Sequence, residues 1–393
     1  MSDFQNFIHR LCPDGVDYRP LGEVSEMKRG TSLTQKNAIE GPYPVISGGR
    51  EPAFYCNSFN REGETITVAG SGAGAGYVQY WNTKIFVCDA FSIKGKECLD
   101  TKYLYYCLTN MQERIYSTKK GGGVPHVHIS SIEGFEIPVP PLEAQRKIVE
   151  VLDNFSELTA ELTAELTARQ KQYEYYRDNL LNFSNINRGG QNEAIEWATL
   201  GDVMTIVRGA SPRPIQNFLT TADDGIPWIK IGDVDPSSKY IETTAEKITI
   251  EGSKKSRLLH AGDFVLSNSM SFGRPYILKI DGCIHDGWIS MSGFEDKLDP
   301  DFLYHLLRST PIQNTWRMKA SSGTVSNLNA DIVRETVIPI PPISEQKKIV
   351  GILDRFSALT TDLTSGLPAE IKARQQQYEY YRDKLLTFPH KAC

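Results

Sequence analysis

The sequence predicts an α+β fold in which two mixed α/β modules are joined by two long antiparallel coiled-coil helices, with pseudo-two-fold symmetry. The segment PVPPLEAQRKIVEVLDNFSELT, residues 138–159, returns as PIPPISEQKKIVGILDRFSALT, residues 339–360, with 13 of 22 positions identical. The heptapeptide QYEYYRD at 172–178 returns unchanged at 377–383. A repeat period of about 200 residues is too long for a solenoid, so it indicates a duplicated unit of one module and one helix.

The repeat divides the chain into four consecutive segments. We predict a first module over 1–141, a first helix over 142–183, a second module over 184–342, and a second helix with a C-terminal tail over 343–393. The helical segments are nearly the same in the two copies, whereas the modules share only a frame, such as Leu-Gly-Glu/Asp-Val near each start. The chain is long enough for several separate cores. The sequence therefore predicts a repeated scaffold that carries two differently surfaced modules.

The helices are the most strongly patterned part of the chain. Apolar residues recur at steps of three and four from about Glu143 to Leu181, as in a coiled-coil seam. Prolines directly before each long helix forbid an earlier start of the helix, because proline lacks the amide donor and restricts its predecessor. A helix over these 39 residues would be about 58 Å long, which suits a spacer. Two tandem Thr-Ala-Glu-Leu units, 159–166, each add about 6 Å. We expect the second copy to be interrupted at Gly366–Pro368.

The module sequences predict small twisted sheets with peripheral helices. Short runs such as Thr65–Val68 and Phe264–Leu266 alternate with Gly- and Ser-rich turns, which is typical of strands. One helix per module is clear, at Thr101–Tyr116 and at Asp301–Met318. We therefore predict mixed α/β modules.

Composition excludes several classes of protein. The net charge of −5 argues against a protein that coats nucleic acid by bulk attraction, so DNA binding would need local basic patches. The seven cysteines include no Cys-x-x-Cys pair and suit reduced thiols. The start of the chain has no basic segment followed by an apolar run, and no stretch approaches about 18 apolar residues. We expect a cytoplasmic protein without a membrane segment.

Basic, amide and small polar side chains gather in the predicted loops of both modules. Arginine reads guanine edges and asparagine reads adenine edges, while lysine and backbone amides hold phosphates. The glycines of the loop 70–76 let backbone approach a partner such as DNA. The DNA-binding candidates of the first module are Lys28, Arg29, Arg50, Ser71, Gly72, Lys119, Lys120, His126 and His128. Those of the second module are Arg208, Arg213, Lys230, Asn268, Arg274, Lys319, Asn327 and Asn329.

The sequence contains no catalytic constellation that we can identify. The glycine-rich loop 70–76 satisfies neither GxGxxG nor GxxxxGK[ST]. Pro13-Asp14 followed by Glu26-Met27-Lys28 fits the loose pattern of metal-dependent nucleases. The second module, however, has Thr205 and Val207 at the matching positions. We expect no catalytic residue, no metal site and no cofactor in this chain.

The architecture resembles the specificity (S) subunit of type I restriction-modification enzymes. The matching elements are two modules opening with Leu-Gly-Glu/Asp-Val, the run Pro-x-Pro-Pro…Gln-x-Lys-Ile-Val…Leu-Asp…Phe, and a long helix ending in Gln-Tyr-Glu-Tyr-Tyr-Arg-Asp. The Thr-Ala-Glu-Leu repeat looks like the spacer of the EcoR124-like (type IC) branch. The resemblance covers essentially the whole chain and is highly specific in the helices.

The resemblance implies a non-catalytic subunit with two target-recognition domains, each reading one half of a gapped bipartite site in double-stranded DNA. It implies partnership with two methyltransferase (M) subunits, which methylate adenine, and with two restriction (R) subunits. S-adenosylmethionine, ATP and magnesium would belong to those partners. The M subunits are expected on the long helices, and our subunit-interface candidates there are Gln145, Tyr175, Gln346 and Tyr380.

Two functions from other classes remain open at this point. One is the metal-dependent nuclease, which predicts cleavage by the purified chain and its loss in Glu26→Ala. The other is a coiled-coil adaptor that binds no DNA, which predicts no salt-dependent affinity for a duplex.

Overall fold

A computed structural model describes the protein over residues 10–121, 123–183, 195–235, 238–268, 272–321, 327–361 and 366–391. The chain divides into two compact units, one made of Met1–Leu162 with Ile371–Cys393 and the other of Thr163–Glu370. Each unit contains one module and parts of both long helical segments. This division cuts across the four consecutive segments predicted from the repeat.

The first unit is a mixed α/β module. Its strands β1 to β9 are Asp17–Pro20, Ser25–Arg29, Tyr43–Ile46, Phe54–Cys56, Glu64–Ala69, Val78–Asn82, Phe86–Val87, Ala90–Gly95 and Glu136–Val139. Its short helices α1 to α4 are Leu21–Val24, Thr101–Asn110, Gln112–Ser117 and Ile129–Ile132. The long α5, Leu142–Leu180, begins in this unit and ends in the second. The strands form one sheet in the order β2-β8-β5-β6, a second in the order β4-β3-β7, and the pair β1-β9.

The second unit has the same class of architecture with larger sheets. Strands β10 to β15 are Glu196–Thr199, Thr205–Arg208, Leu219–Thr220, Ile226–Ile229, Tyr240–Ile241 and Glu246–Ile248. Strands β16 to β21 are Arg257–Leu259, Phe264–Ser267, Pro275–Leu278, Gly282–Ile284, Trp288–Ser292 and Val337–Ile340. The sheets follow the orders β11-β20-β17-β18-β14, β12-β15-β13-β19-β16 and β10-β21. Helices α6 to α11 are Leu200–Val203, Ile250–Ser253, Pro300–Leu307, Thr310–Ser321, Ala330–Arg334 and Ile343–Thr361. The last helix, α12, is Leu367–Leu385 and belongs to the first unit from Ile371 onward.

A short antiparallel ladder closes each module directly before its long helix. The register pairs Asp17 with Val139 in β1-β9, and Glu196 with Ile340 in β10-β21. The prolines that follow β9 and β21 end the ladders, and α5 and α11 begin immediately after them. In the structure the first long helix begins at Leu142, and the sequence pattern places its start at about Glu143.

Three helix predictions need revision. The single helices expected over 101–116 and 301–318 are each broken in two, between α2 and α3 and between α8 and α9. In the second copy Gly366 forms a bend outside both α11 and α12, as predicted, while 363–365 lie outside the described residues. Pro368 does not break a helix, because it lies in the first turn of α12, where a missing amide donor costs no bond.

Each unit has a core that combines its module with the start of one long helix and the end of another. In the first unit Ile148 and Leu152 of α5 are buried with residues of the sheet and α2, and Tyr378 of α12 packs against this core. In the second unit Ile349 of α11 and Tyr173 of α5 occupy the corresponding places. Each core is therefore completed by the repeated heptapeptide of the other copy.

A buried glutamine fastens α5 to the first module. Gln145 is fully buried, and its Oε1 accepts a hydrogen bond from the Asp100 amide at 2.7 Å. Its Nε2 donates to the carbonyl oxygens of Cys98 at 2.9 Å and Pro140 at 2.7 Å. Asp100 in turn caps α2 by accepting from two amides of its first turn. We call this arrangement the glutamine latch.

The second unit repeats the glutamine latch bond for bond. Gln346 is fully buried, accepts from the Asp299 amide at 2.8 Å, and donates to Lys297 O at 2.9 Å and Pro341 O at 2.8 Å. The prediction that Gln145 and Gln346 are subunit-interface residues was therefore wrong. Neither side chain reaches the surface, because its amide satisfies backbone groups of its own module.

A second buried link joins both long helical segments to the second module. The Tyr173 hydroxyl lies 2.9 Å from Nδ1 of His305, whose Nε2 lies 2.8 Å from Asp354 Oδ1. Burial lowers the pKa of His305, so the ring is neutral, accepting from Tyr173 and donating to Asp354. The first unit has Tyr106 at the place of His305, and its hydroxyl donates to Asp153 at 2.6 Å. The two units thus keep the carboxylate and exchange the donor.

Removing the latch should destabilise the second unit. Gln346→Leu leaves the Asp299 amide and the Lys297 and Pro341 carbonyls buried without partners, which costs at least about 2 kcal/mol of unfolding free energy. Urea unfolding followed by tryptophan fluorescence measures it, since Trp197, Trp228, Trp288 and Trp316 all belong to that unit. Lys347→Leu, at an exposed neighbouring position, is the control and should change stability by less than about 0.5 kcal/mol. Equal stabilities of the two variants would contradict the latch.

The second unit should also lose stability as the pH falls below about 6.5, where an unfolded histidine takes up a proton. Folded His305 has a lowered pKa, so the unfolded state binds more protons in this range and folding free energy is lost toward acid pH. Unfolding midpoints between pH 5 and 8 measure the slope. His305→Gln should flatten the slope below about pH 6.5, because the buried ring that loses its proton affinity on folding is then absent. An unaltered slope in His305→Gln would refute the assignment.

Candidate nucleic-acid interface

A polar cleft of about 440 Å³ opens in the first unit beside the end of β2. Its lining includes Arg29, Asp89, His126 and His128. Gly30 follows Arg29 at the wall of the cleft, and its amide donates to Ala90 O at 2.9 Å. A Cβ on Gly30 would overlap the Cys88 carbonyl, so only glycine fits there. This close approach holds the Arg29 backbone against the short connection between β7 and β8, which carries Asp89.

The glycine-rich loop forms the neighbouring wall. Its Gly70 amide donates to Asp89 O at 3.0 Å, and the Ser71 hydroxyl donates to the Asp89 carboxylate. Ser71 and Lys120 both form β-bridges with His126. The His126 and His128 rings lie parallel with centroids 6.0 Å apart. The loop 70–76 is thus a hairpin-like support that brings polar groups from three chain segments together.

Three first-module candidates lie outside the cleft lining and have local partners. Lys28 pairs with Glu26 at 2.5 Å. The Arg50 guanidinium lies 4.9 Å from the centroid of the Tyr77 ring. The Lys119 ammonium lies 4.1 Å from the centroid of the Tyr116 ring. Gly72, with a φ of +81°, sits at the turn of the hairpin. The structure therefore favours Arg29, Ser71, Lys120, His126 and His128 as the first-module cluster.

Asp286 organises the corresponding region of the second unit. Arg208 Nε donates to its main-chain oxygen at 3.0 Å, and Asn268 Nδ2 donates to the same oxygen at 3.2 Å. Its carboxylate accepts from the Ser211 hydroxyl at 2.9 Å and from Arg213 at 3.3 Å. Three of the predicted residues thus meet at one acidic residue that was not among the sequence-predicted candidates.

The Asp286 carboxylate is held in its charged form. Partial burial opposes ionisation, but the Ser211 hydroxyl bond, the neighbouring His285 and Arg213 together keep its pKa below the ordinary value. His285 Nε2 lies 3.1 Å from Oδ1. A charged carboxylate only accepts hydrogen bonds, so Asp286 orients donors around itself. Gly209, beside Arg208, repeats the close approach of Gly30, since a Cβ there would overlap the His285 carbonyl.

The other second-module candidates mostly have local partners of their own. Lys230 pairs with Glu246 at 3.0 Å, and Lys319 with Glu335 at 3.2 Å. Asn329 caps α10 by accepting from the Ile332 amide at 2.9 Å. Arg274 stacks on Tyr276, and Asn327 is exposed beside Leu328, whose amide donates to Asn268 O at 2.9 Å. Local carboxylates and caps thus account for three of these candidates.

Each repeated heptapeptide has one tyrosine that is more than half exposed. Tyr175 is 66% exposed and Tyr380 is 54% exposed, so both are accessible for the predicted subunit contact. Tyr173 is buried, as expected of a core residue. Tyr176 is 39% exposed and stacks on Phe356 with ring centroids 5.3 Å apart, so it covers the core rather than filling it.

The described residues offer no support for a metal centre. Within the described ranges no group of three His, Cys, Asp or Glu side chains is placed to hold a metal ion. Glu26 instead pairs with Lys28, whose hydrogen bond and charge lower the pKa of the glutamate. No helix in the part of the chain described is long and apolar enough to cross a membrane.

Comparison with known proteins assigns the family. The chain belongs to the type I restriction-modification DNA specificity family, because the model of the "Type I restriction modification DNA specificity domain" matches residues 13–169 and 192–373. It is similar to a putative type I restriction enzyme specificity subunit of Haemophilus influenzae, with 31% identity over 99% of this chain and 100% of that protein. It is equally similar to the EcoR124I/EcoR124II specificity subunit of Escherichia coli, with 31% identity over 98% of this chain and 97% of that one. The resemblance inferred from the repeats is confirmed.

Solved structures support the fold. A type I S subunit from Mycoplasma genitalium covers 95% of this chain and 96% of its own, with a TM-score of 0.59 and 19% identity. A chain from a study of complex assembly and conformational transition of the type I restriction-modification system covers 95% of this chain and 98% of its own, with a TM-score of 0.65 and 16% identity. The two-module mixed α/β layout therefore agrees with that of type I S subunits.

Replacing Asp286 should show whether this residue acts by orienting the donors around it or only through its negative charge. Asp286→Asn removes a negative charge that would repel phosphate but loosens Arg213 and Ser211. We expect affinity for a scrambled duplex to stay the same or rise, while the ratio of specific to nonspecific affinity falls about tenfold, a loss of the size expected for one base contact. Fluorescence anisotropy measures both affinities, with the chain in complex with its methyltransferase subunits and with two duplexes, one carrying the recognised sequence and one scrambled. Asp281→Asn removes the same charge at an exposed loop and should leave the ratio unchanged. A ratio preserved in Asp286→Asn would exclude an orienting role.

Proposed function

We propose that this chain supplies the DNA address of a type I restriction-modification complex, with each module reading one half of a gapped bipartite site. The observation that carries the proposal is the repetition of one arrangement in both units. An Arg-Gly pair, Arg29-Gly30 or Arg208-Gly209, packs against a short connection between two strands that bears an acid, Asp89 or Asp286. The surrounding side chains differ, which suits two readers of different sequences.

The residue types in each cluster match the chemistry of base edges. An arginine can bind guanine O6 and N7, asparagine can bind adenine N6 and N7, and a carboxylate can accept from the cytosine amino group. Arg29 with His126 and His128 would serve the first half-site, and Arg208, Arg213 and Asn268 the second. Backbone amides of the glycine-rich hairpin would hold phosphates.

The long helices would set the gap between the half-sites and dock the methyltransferase subunits. The glutamine latches support this role, because a spacer determines a distance only if its ends are fastened to the modules. We also propose that the two long helices form an antiparallel coiled coil and that the chain has pseudo-two-fold symmetry. Tyr175 and Tyr380 are the proposed contacts, since both expose an aromatic ring on a helix.

The chemistry would reside in the partners. Two methyltransferase subunits would flip and methylate adenine with S-adenosylmethionine, because a stacked base cannot be reached in the duplex. Two restriction subunits would use ATP and magnesium. The net charge of −5 is compatible with this division, because much of the surface would contact protein rather than phosphate. A cytoplasmic location belongs to the same proposal.

The two rival functions make different predictions. The nuclease would need a metal site, which the described carboxylates do not form, and purified chain should show no magnesium-dependent cleavage. The adaptor would show no salt-dependent affinity for duplex in complex with its partners, whereas a specificity subunit should show both salt dependence and sequence preference.

Methylation mapping tests the proposed function. The chain is co-expressed with its genomic neighbours in a methylation-free host, and modified adenines are located by sequencing. A single gapped, bipartite motif that disappears when this chain is omitted supports the proposal. An intact complex without methylation would contradict it and favour the adaptor.

Changing the helix length should change only the gap. A third Thr-Ala-Glu-Leu unit inserted after Leu166 extends α5 by about 6 Å, which corresponds to about two base pairs at 3.4 Å each. We expect the methylated motif to keep both half-sites and gain one or two base pairs between them. Replacing Thr163–Leu166 by four alanines keeps the length and should keep the spacing. An insertion variant with unchanged spacing would refute the spacer role.

A further inference from the structure

A second cavity, of about 310 Å³, lies in the second unit between the end of α5, the β17-β18 hairpin and the α8-α9 junction. Four of its lining residues are arginines, namely Arg177, Arg274, Arg308 and Arg317. Glu174 is the acid among the lining residues, and Gln313 and Thr310 add polar groups. We call this cavity the arginine cleft.

Aromatic and polar contacts hold most of these guanidinium groups in place. Arg177 is 5% exposed, pairs with Asp178 at 2.9 Å and donates to the Thr310 hydroxyl at 3.2 Å. Arg308 donates to the Tyr304 hydroxyl at 2.8 Å and stacks on the same ring. Arg274 likewise stacks on a tyrosine ring. Such groups lose little further freedom when a ligand binds.

The cleft carries an excess of positive charge. Among the described residues no carboxylate forms an ion pair with Arg274, Arg308 or Arg317, while Asp178 engages Arg177. Glu174 offsets one further charge. Like charges gathered in a concave wall attract an anion, and arginine presents a planar fork that fits phosphate oxygens. The cleft is therefore built for an anionic, oxygen-rich ligand.

We propose that the arginine cleft binds a phosphate group of the DNA backbone next to the second half-site, a contact that rests on the proposed function. The hairpin that supplies Arg274 also supplies Asn268 of the Asp286 cluster, and Ser267 N donates to Arg274 O at 3.1 Å across it. The two paired strands of this hairpin, β17 and β18, thus connect the groups that would read bases to those that would bind the phosphate. Phosphate contacts fix register while base contacts specify sequence.

The first unit does not repeat this cleft. Gln112 Nε2 donates to Gly76 O at 2.7 Å, as Gln313 Nε2 does to Gly273 O at 2.9 Å, so the two regions can be matched residue by residue. The matched positions then show which arginines have no counterpart. Arg274, Arg308 and Arg317 correspond to Tyr77, Thr109 and Tyr116. The arginine cleft is therefore not repeated at the matched positions of the first module.

Salt-dependent DNA binding tests the inference. The assembled complex of this chain and its methyltransferase subunits is titrated with a duplex carrying the mapped motif and with a scrambled duplex, over a range of KCl concentrations. In Arg308→Gln/Arg317→Gln we expect affinity for both duplexes to fall by the same factor, about tenfold. The slope of log K against log salt should become shallower by about 0.9 for each phosphate that the variant no longer neutralises.

Two further variants sharpen the test. Arg308→Lys/Arg317→Lys keeps the charge and should restore most of the slope. Arg257→Gln removes the same charge from an exposed position on the edge strand β16 and should leave affinity and slope unchanged.

Three outcomes would be decisive. An unchanged slope and affinity in the double glutamine variant would overturn the inference. Dissociation of the methyltransferase subunits from that variant before DNA is added, measured by the mass of the complex, would show that the cleft holds an acidic protein segment and would also overturn it. Failure of the unmodified complex to prefer its motif would instead refute the proposed function.

Discussion

The glutamine latch is the interaction on which the rest of the arrangement depends. A primary amide offers an acceptor and two donors in one plane, and here all three are used on backbone groups of the loop before a helix cap and of the proline run. Because the site is buried, an unmet partner would cost far more than an exposed hydrogen bond gains. The start of each long helix is thus fastened to its module by bonds that tolerate little displacement, whereas loops elsewhere in the module can vary.

The two units show which contacts variation leaves intact. The glutamine latch, the short ladder and the packing of the heptapeptide recur in both units. The residue that donates to the carboxylate on the long helix differs, being Tyr106 in one unit and His305 in the other. The exchange preserves a bond to Asp153 or Asp354 but changes its response to acid, since burial lowers the pKa of the histidine. A scaffold of this kind constrains the geometry at the base of the module and leaves its loops free to carry different chemistry.

Sequence patterns predicted the helices because their signals are local. Apolar periodicity and prolines mark both starts, whereas the sheets depend on pairings such as β13 with β19, which no local pattern reveals. The sequence placed Arg208, Arg213 and Asn268 among eight candidates without grouping them, and it could not show that Lys230 and Lys319 pair with carboxylates that only the fold brings near. Gln145 and Gln346 were misjudged as surface residues although they stand on the apolar seam, three positions before Ile148 and Ile349. That placement is the signal that would have identified a buried amide.

The asymmetry of charge between the units has a physical consequence for a chain of net charge −5. Bulk attraction to DNA is absent, so any grip on the strand must come from places where cations are concentrated and held by aromatic rings. The arginine cleft is such a place, and the first unit has Tyr77, Thr109 and Tyr116 at the positions that match Arg274, Arg308 and Arg317. Because the repeated helices and ladders are equivalent in the two copies, the difference in arginines would make the two modules bind DNA differently. Nonspecific hold would then be strongest at one half-site, and the other half-site would contribute chiefly through the fit of its cleft.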